Sequence, residues 1–231
     1  NKKNNIMRKL LLIPLIFFFS ISYGQDTVVL KHEYFTSIFV EDAHIPALVE
    51  YYLTDDMLKC DEHLERGRFA KDPLLPVATN LDKDYTGSGY DRGHNMSSKN
   101  NDCFEDAMKE CFYFSNMFPQ THKLNAGAWY KLEVAERGYA EDRQVIKVFI
   151  GSLGEVKTIG KTNKISVPEY CWKVIYFPDT KEYECYIFPN DTAKQKDFAT
   201  YKVELTEIEK KSKMKFKADK VSVSSTINQY K

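Results

Sequence analysis

The chain has 231 residues, 33 basic and 33 acidic, so its formal net charge is zero; 43% of residues are hydrophobic and 14% aromatic. That length and apolar content are ample for a packed core and exclude a disordered or fibrous chain. Zero net charge removes a globally basic nucleic-acid binder and leaves room only for a local basic groove.

The first 25 residues read as a targeting segment. Lys2, Lys3, Arg8 and Lys9 precede an apolar run from Leu10 to Phe19, and Ser22-Tyr23-Gly24 offers small residues before a cut at Gln25. This is the pattern of a secretory signal peptide over residues 1–24, and the run is shorter than the roughly 20 apolar residues of a membrane span. The expectation is therefore an exported protein, periplasmic or extracellular, with no membrane association after removal of the leader. Its loss takes four basic residues and no acidic one, leaving 29 against 33.

Residues 25–231 show no repeat, low-complexity tract or linker and read as one domain. Extended segments are expected over Thr27–Val40 and Ala47–Leu53. Residues 61–89 are polar and irregular, and loops of such length usually carry function. Asn101-Asp102 is expected to cap a helix with Phe104, Met108, Cys111 and Phe112 on its apolar face. A second helix is expected from about Asn125 to Arg137, stopped by Gly138. Strands follow at Gln144–Ile150, Tyr170–Phe177 and Glu182–Phe188, then a Lys-rich helix near Glu204–Lys213. The class is α+β, an antiparallel-rich sheet with packed helices.

Five cysteines, Cys60, Cys103, Cys111, Cys171 and Cys185, leave at least one unpaired within the chain. Cys103 and Cys111 fall at opposite ends of the expected helix, roughly 12 Å apart and beyond disulfide reach. Cys171 and Cys185 fall on neighbouring strands, and the connectivity stays open. No C-x-x-C spacing supports a structural zinc site.

Chemistry concentrates in two stretches. In DYTGSGYDRGHNM (Asp84–Met96), Arg92 and His94 stand two apart and face the same way on a strand, a cation beside an imidazole that suits phosphate chemistry. Taken alone, Arg-Gly-His is most often a turn. In SNMFPQTHKLNAGAWYKLE (Ser115–Glu133), Asn125 and Glu133 are eight residues apart, about 80° around a regular helix. Taken alone the pair reads as an Asn cap and a surface Glu; as a functional pair, one would bind a hard cation and the other would reach it through coordinated water. His32, His44, His63 and His122 read as surface or structural. The lysines from 210 to 220 read as a solvated face or a track for a phosphate backbone. Tyr85, Tyr90 and Trp129 read as core aromatics or as base-stacking groups.

Together these stretches resemble the DNA/RNA non-specific endonuclease family, the ββα-metal (His-Me finger) nucleases. The matching motifs are Asp84-Tyr85 through His94, Ser115-Asn116 through Pro119-Gln120, and Leu124-Asn125 through Trp129 to Leu132-Glu133. The resemblance implies a secreted endonuclease that hydrolyses DNA and RNA with little sequence preference, leaving 5′-phosphate and 3′-hydroxyl ends. It implies His94 as general base, Asn125 holding one Mg²⁺ (or Mn²⁺), Glu133 ordering the metal's waters and Asn116 positioning the site. It implies Arg92 in the motif and Arg66, with Arg68 as the alternative, binding phosphate. Two departures stand out: Asn95-Met96-Ser97-Ser98 replaces the usual H-L-x-P continuation, and Phe112 stands where some members carry a polar residue. The alternatives are a phosphodiesterase acting on small nucleotides and an inactive exported nucleic-acid-binding protein. A homodimer and an inhibitor protein are left open.

Overall fold

The structure, a computed structural model, describes residues 27–75, 81–193 and 197–223; the expected leader at 1–24 lies outside them. Its frame is a seven-stranded antiparallel sheet. The first three strands are β1 (Thr27–Lys31), β2 (Thr36–Val40) and β3 (Ile45–Thr54). The irregular stretch that follows includes a helical turn at Asp55–Leu58 and another, α1 (Asp82–Tyr85). Next come the short strand β4 (Asp91–His94), helix α2 (Glu105–Cys111) and strand β5 (Met117–Gln120), which pairs back onto β4. A helical stretch begins as α3 (His122–Leu124), widens over Asn125–Trp129 and continues as α4 (Tyr130–Arg143). Strand β6 (Val145–Leu153) returns to the sheet beside β3, and β7 (Lys157–Ile159) with β8 (Ile165–Val167) forms a separate ribbon. Strands β9 (Tyr170–Phe177), β10 (Glu182–Pro189) and β11 (Lys202–Val203) complete the sheet. Helix α5 (Leu205–Ser212) and the ribbon β12 (Met214–Lys217) with β13 (Lys220–Val223) close the chain.

The sheet order is β1-β2-β3-β6-β9-β10-β11. Its central strands are buried on both faces, so they read as almost continuous apolar runs such as VIKVFIGSL and YCWKVIYF. Successive side chains still alternate between two cores. In β9, Cys171 and Ile175 join the core that holds Trp129 and Leu132, whereas Trp172 and Val174 join the core that holds Ile208, Met214 and Phe216. The helical stretch covers the first face; α5 and β12 cover the second.

Several expectations are corrected. Phe104, 42% exposed, precedes α2 instead of lying on its buried face, and neither Asn101 nor Asp102 caps the helix. Cys103 lies before α2 and is bonded to Cys60, with Cα atoms 5.5 Å apart. Cys171 pairs in register with Phe188 and Cys185 with Val174, an offset of three that sends the two thiols to opposite faces. The helix expected to stop at Gly138 runs on to Arg143 and ends where Gln144 takes φ +70°. The lysine run is a solvated face, as one of its two readings had it: its lysines are exposed along α5, β12 and β13 on the second core, away from the first face, and Lys211 and Lys215 pair with Glu207 and Glu209.

Candidate active site

The β4–β5 ribbon and the helical stretch after it form a strand–strand–helix unit on the first face. Its pairing sets His94 opposite Met117 and Gly93 opposite Phe118. A Cβ at Gly93 would collide with the side chain of Gln120, so this close approach needs glycine. The Trp129 indole donates to the His94 carbonyl at 3.2 Å, fixing the end of β4 against the helix.

His94 sits at the head of an open cleft of about 430 Å³, lined also by Arg66, Ser97, Asn125, Tyr130 and Glu133. Its ring meets Phe112 edge-on at 4.8 Å and Phe69 at 5.6 Å, and Nε2 is buried without a hydrogen bond. Burial, reinforced by the nearby Arg66 charge, pushes its pKa from 6.5 down to about 3, so the imidazole is neutral. A neutral ring is the form that accepts a proton. Phe112, the departure noted in the sequence, forms one wall of this apolar seat.

Asn125 donates from Nδ2 to Asp91 Oδ2 at 2.9 Å, which leaves Oδ1 as its other, ligand-capable atom. The same carboxylate oxygen holds His122 Nδ1 at 2.8 Å, so exposed His122 braces Asp91 beside the site. Glu133 is buried on the first turn of α4 and accepts from Ser97 Oγ at 3.1 Å. Burial pushes its pKa up to about 7 against the pull of Lys173. An amide oxygen and a carboxylate near His94 are hard donors suited to Mg²⁺ or Mn²⁺.

A regular helix places Asn125 and Glu133 about 80° apart. The widened turn, with Gly127 at φ −106° and ψ −112°, removes that offset. A wide turn absorbs about one extra residue, leaving the pair as if seven apart and within roughly 20° of one face. Both therefore line the same cleft.

The remaining sequence candidates stand farther back. Asn116 is fully buried: Oδ1 accepts from Met96 N–H at 2.8 Å, and Nδ2 donates to the Met96 and Cys111 carbonyls. It clamps the turn that leaves His94. Arg92 does share a face with His94, since both meet Phe69; its Nη2 is held by Asp82 and Thr86, while its buried Nε has no hydrogen-bond partner. Arg66 borders the cleft and lies over Phe69 and Phe112; Arg68 does not border it. Tyr85 and Trp129 are core residues, 2% and 0% exposed.

Sequence reasoning missed the support beneath the helix. Lys173 and Glu136, both fully buried, pair at 2.6 Å, and Lys173 lies 4.4 Å from the centre of the Trp129 ring. Tyr51 donates to the other Glu136 oxygen at 3.1 Å. The only signal was a lysine inside an otherwise apolar strand. His63 lies 3.6 Å from Cys60 Sγ beside the disulfide, but the two sulfurs are bonded to each other and not available as a ligand set.

Comparison with known proteins agrees with this geometry. The family described as DNA/RNA non-specific endonuclease matches residues 17–222. Nuclease C1 of Cunninghamella echinulata var. echinulata is 34% identical over 75% of this chain and 76% of its own length. The mitochondrial nuclease EXOG of Mus musculus is 29% identical over 74% of this chain, which spans only 52% of that protein. The nuclease of Serratia marcescens is 34% identical over 61% of this chain and 58% of its own. EndoG, solved in a complex with EndoGI that addresses the mechanism of EndoG inhibition, superposes with a TM-score of 0.74 at 25% identity, covering 85% of this chain and 89% of EndoG.

Proposed function

Because the chain belongs to the DNA/RNA non-specific endonuclease family, we propose that it hydrolyses phosphodiester bonds of DNA and RNA with little sequence preference and depends on a divalent cation. The observation that carries this reading is the convergence of neutral His94, Asn125, Glu133 and Arg66 on one cleft.

Arg66 draws the scissile phosphate toward His94 and offsets its charge. His94 takes a proton from water as the water oxygen bonds to phosphorus and the bond to the 3′-oxygen breaks; the departing oxygen takes a proton from solvent water, giving 5′-phosphate and 3′-hydroxyl ends, and His94 returns its proton to solvent. Asn125 Oδ1 would hold Mg²⁺ or Mn²⁺, with the Glu133 carboxylate orienting its waters. Such an ion, when bound, supplies Lewis-acid stabilisation to the phosphate and leaving oxygens. Asn116 and Trp129 keep the His94 backbone in place. Reading only the backbone requires no base-specific contact.

The same reading has the chain exported after loss of residues 1–24. The Cys60–Cys103 bridge supports this, because such bonds persist in oxidising compartments. The test is incubation of purified chain with supercoiled plasmid and with RNA, in Mg²⁺ or EDTA. Both polymers should be cut in Mg²⁺ and neither in EDTA. Binding without cleavage, EDTA-insensitive cleavage, or hydrolysis confined to small diesters would overturn the proposal.

A further inference from the structure

We propose that Tyr130 is a base-stacking residue that makes single-stranded or locally unpaired nucleic acid the preferred substrate of this cleft. The proposal rests on the nuclease reading and extends it.

The aromatic side chains nearest His94 are put to structural use. Phe112, Phe118 and Trp129 are fully buried, Tyr85 is 2% exposed, and half-buried Phe69 is packed against the rings of His94, Phe112 and Phe114. Tyr130 differs: it is 50% exposed and lines the cleft between Asn125 and Glu133. Among the described residues it engages in no ring contact or side-chain hydrogen bond. A large ring left half in water, inside a polar cleft, is unspent apolar surface.

Its surroundings indicate what covers it. Ala126 and Val134 stand four residues before and after Tyr130 and are also exposed, so the three form one stripe along the helix. Ala126 lies in the cleft with Tyr130, and Val134 carries the stripe beyond it. Arg66 reaches the same cleft from a loop, and Lys99, which pairs with Asp102 at 3.1 Å, from a short helical turn. One strand of nucleic acid matches this layout, with phosphates toward the cations and a base face on the Tyr130 ring. A ring face recognises every base alike, so stacking adds affinity without sequence preference. In an intact duplex the base faces are covered by neighbouring pairs. Tyr130 therefore gains nothing from a duplex unless the duplex opens.

The test compares wild type, Tyr130→Ala and Tyr130→Phe on a fluorescein-labelled single-stranded 12-mer and on the same sequence as duplex. Binding is read by anisotropy in EDTA and cleavage by initial rates in Mg²⁺. Tyr130→Ala should weaken single-strand binding on the order of 5- to 100-fold, the range for losing one stacked base. The duplex should change by less than about twofold, and Tyr130→Phe should restore binding. An unchanged melting temperature keeps the comparison clean, as expected for an exposed side chain. Wild-type binding by Tyr130→Ala, or an equal loss on both substrates, would overturn the stacking role. Because anisotropy needs no turnover, failure of wild type to cut either substrate would overturn the nuclease reading alone, and the binding data would still decide Tyr130.

Discussion

The two faces of the seven-stranded sheet solve different problems with alternate residues of the same strands. On one face, Trp172, Val174 and Phe149 meet Ile208, Met214 and Phe216 in an apolar contact, and the charge buried beside Phe149, Lys147, pairs with partly exposed Glu50 at 3.5 Å. On the other, one residue along, Lys173 is buried against Glu136 and Trp129 beneath the helix that carries Glu133. Burying a charge pair costs more desolvation than an apolar contact of equal volume, and its gain depends on geometry. The apolar face holds the fold together. The charged face fixes the position of a helix, and through Trp129 the position of His94.

That contrast can be broken by substitution. Lys173→Met leaves Glu136 buried and unpaired, and urea denaturation should show a loss of about 3–5 kcal/mol. Adding Glu136→Leu should recover most of that stability, since removing both partners is often neutral or stabilising. A double variant as weak as the single one would mean that the loss was packing alone. On the apolar face, Phe216→Ala should cost about 3 kcal/mol while kcat for plasmid cleavage stays at the wild-type value. A fall in kcat with the fold intact would erase the division between faces.

His94→Ala should give the opposite signature: an intact fold and a cleavage rate lower by at least ~10²-fold, equivalent to about 2.7 kcal/mol. Near wild-type turnover would remove His94 from the chemistry. The smallest effect concerns pH. With its pKa held near 3, folded His94 stays neutral as pH falls through 6.5, where an ordinary histidine becomes charged. His94 should therefore contribute no limb near 6.5 to kcat/KM; an NMR titration in which the His94 ring protonates near 6.5 would show that the ring is solvated. The sign for stability is opposite to that of a salt-bridged histidine: the unfolded chain binds the extra proton between about 6.5 and 3, so acid destabilises the fold across that window.

The large strands were legible because apolar runs of eight or nine residues bounded by turns admit few other readings, and β6, β9 and β10 fall close to their expected places. The β4–β5 ribbon was not, since four-residue strands carry too little periodicity to stand out. At the site, the motifs picked out His94, Asn125 and Glu133, and the family resemblance suggested Arg66 with Arg68 as the alternative; the fold gathers the first three with Arg66 in one cleft. It did not reveal how Asn125 and Glu133 share a face, because a 3.6-residue period assumes a regular helix and the turn at Gly127 is wide. Nor did it show that Arg92 Nη2 turns back onto Asp82 and Thr86, a contact set by the fold of the turn between them. Tyr130 was passed over for Trp129, its neighbour; exposure decides between them, and exposure is a property of the folded chain.

The bond between Cys60 and Cys103 has one more consequence. It closes a covalent ring that contains Arg66, Asp72, Arg92 and His94. A protease that nicks the backbone once within that ring opens the chain but releases no fragment, so both halves remain tethered at the cleft. Cleavage by a protease and loss of polypeptide become separate events, and only a thiol reductant turns the first into the second.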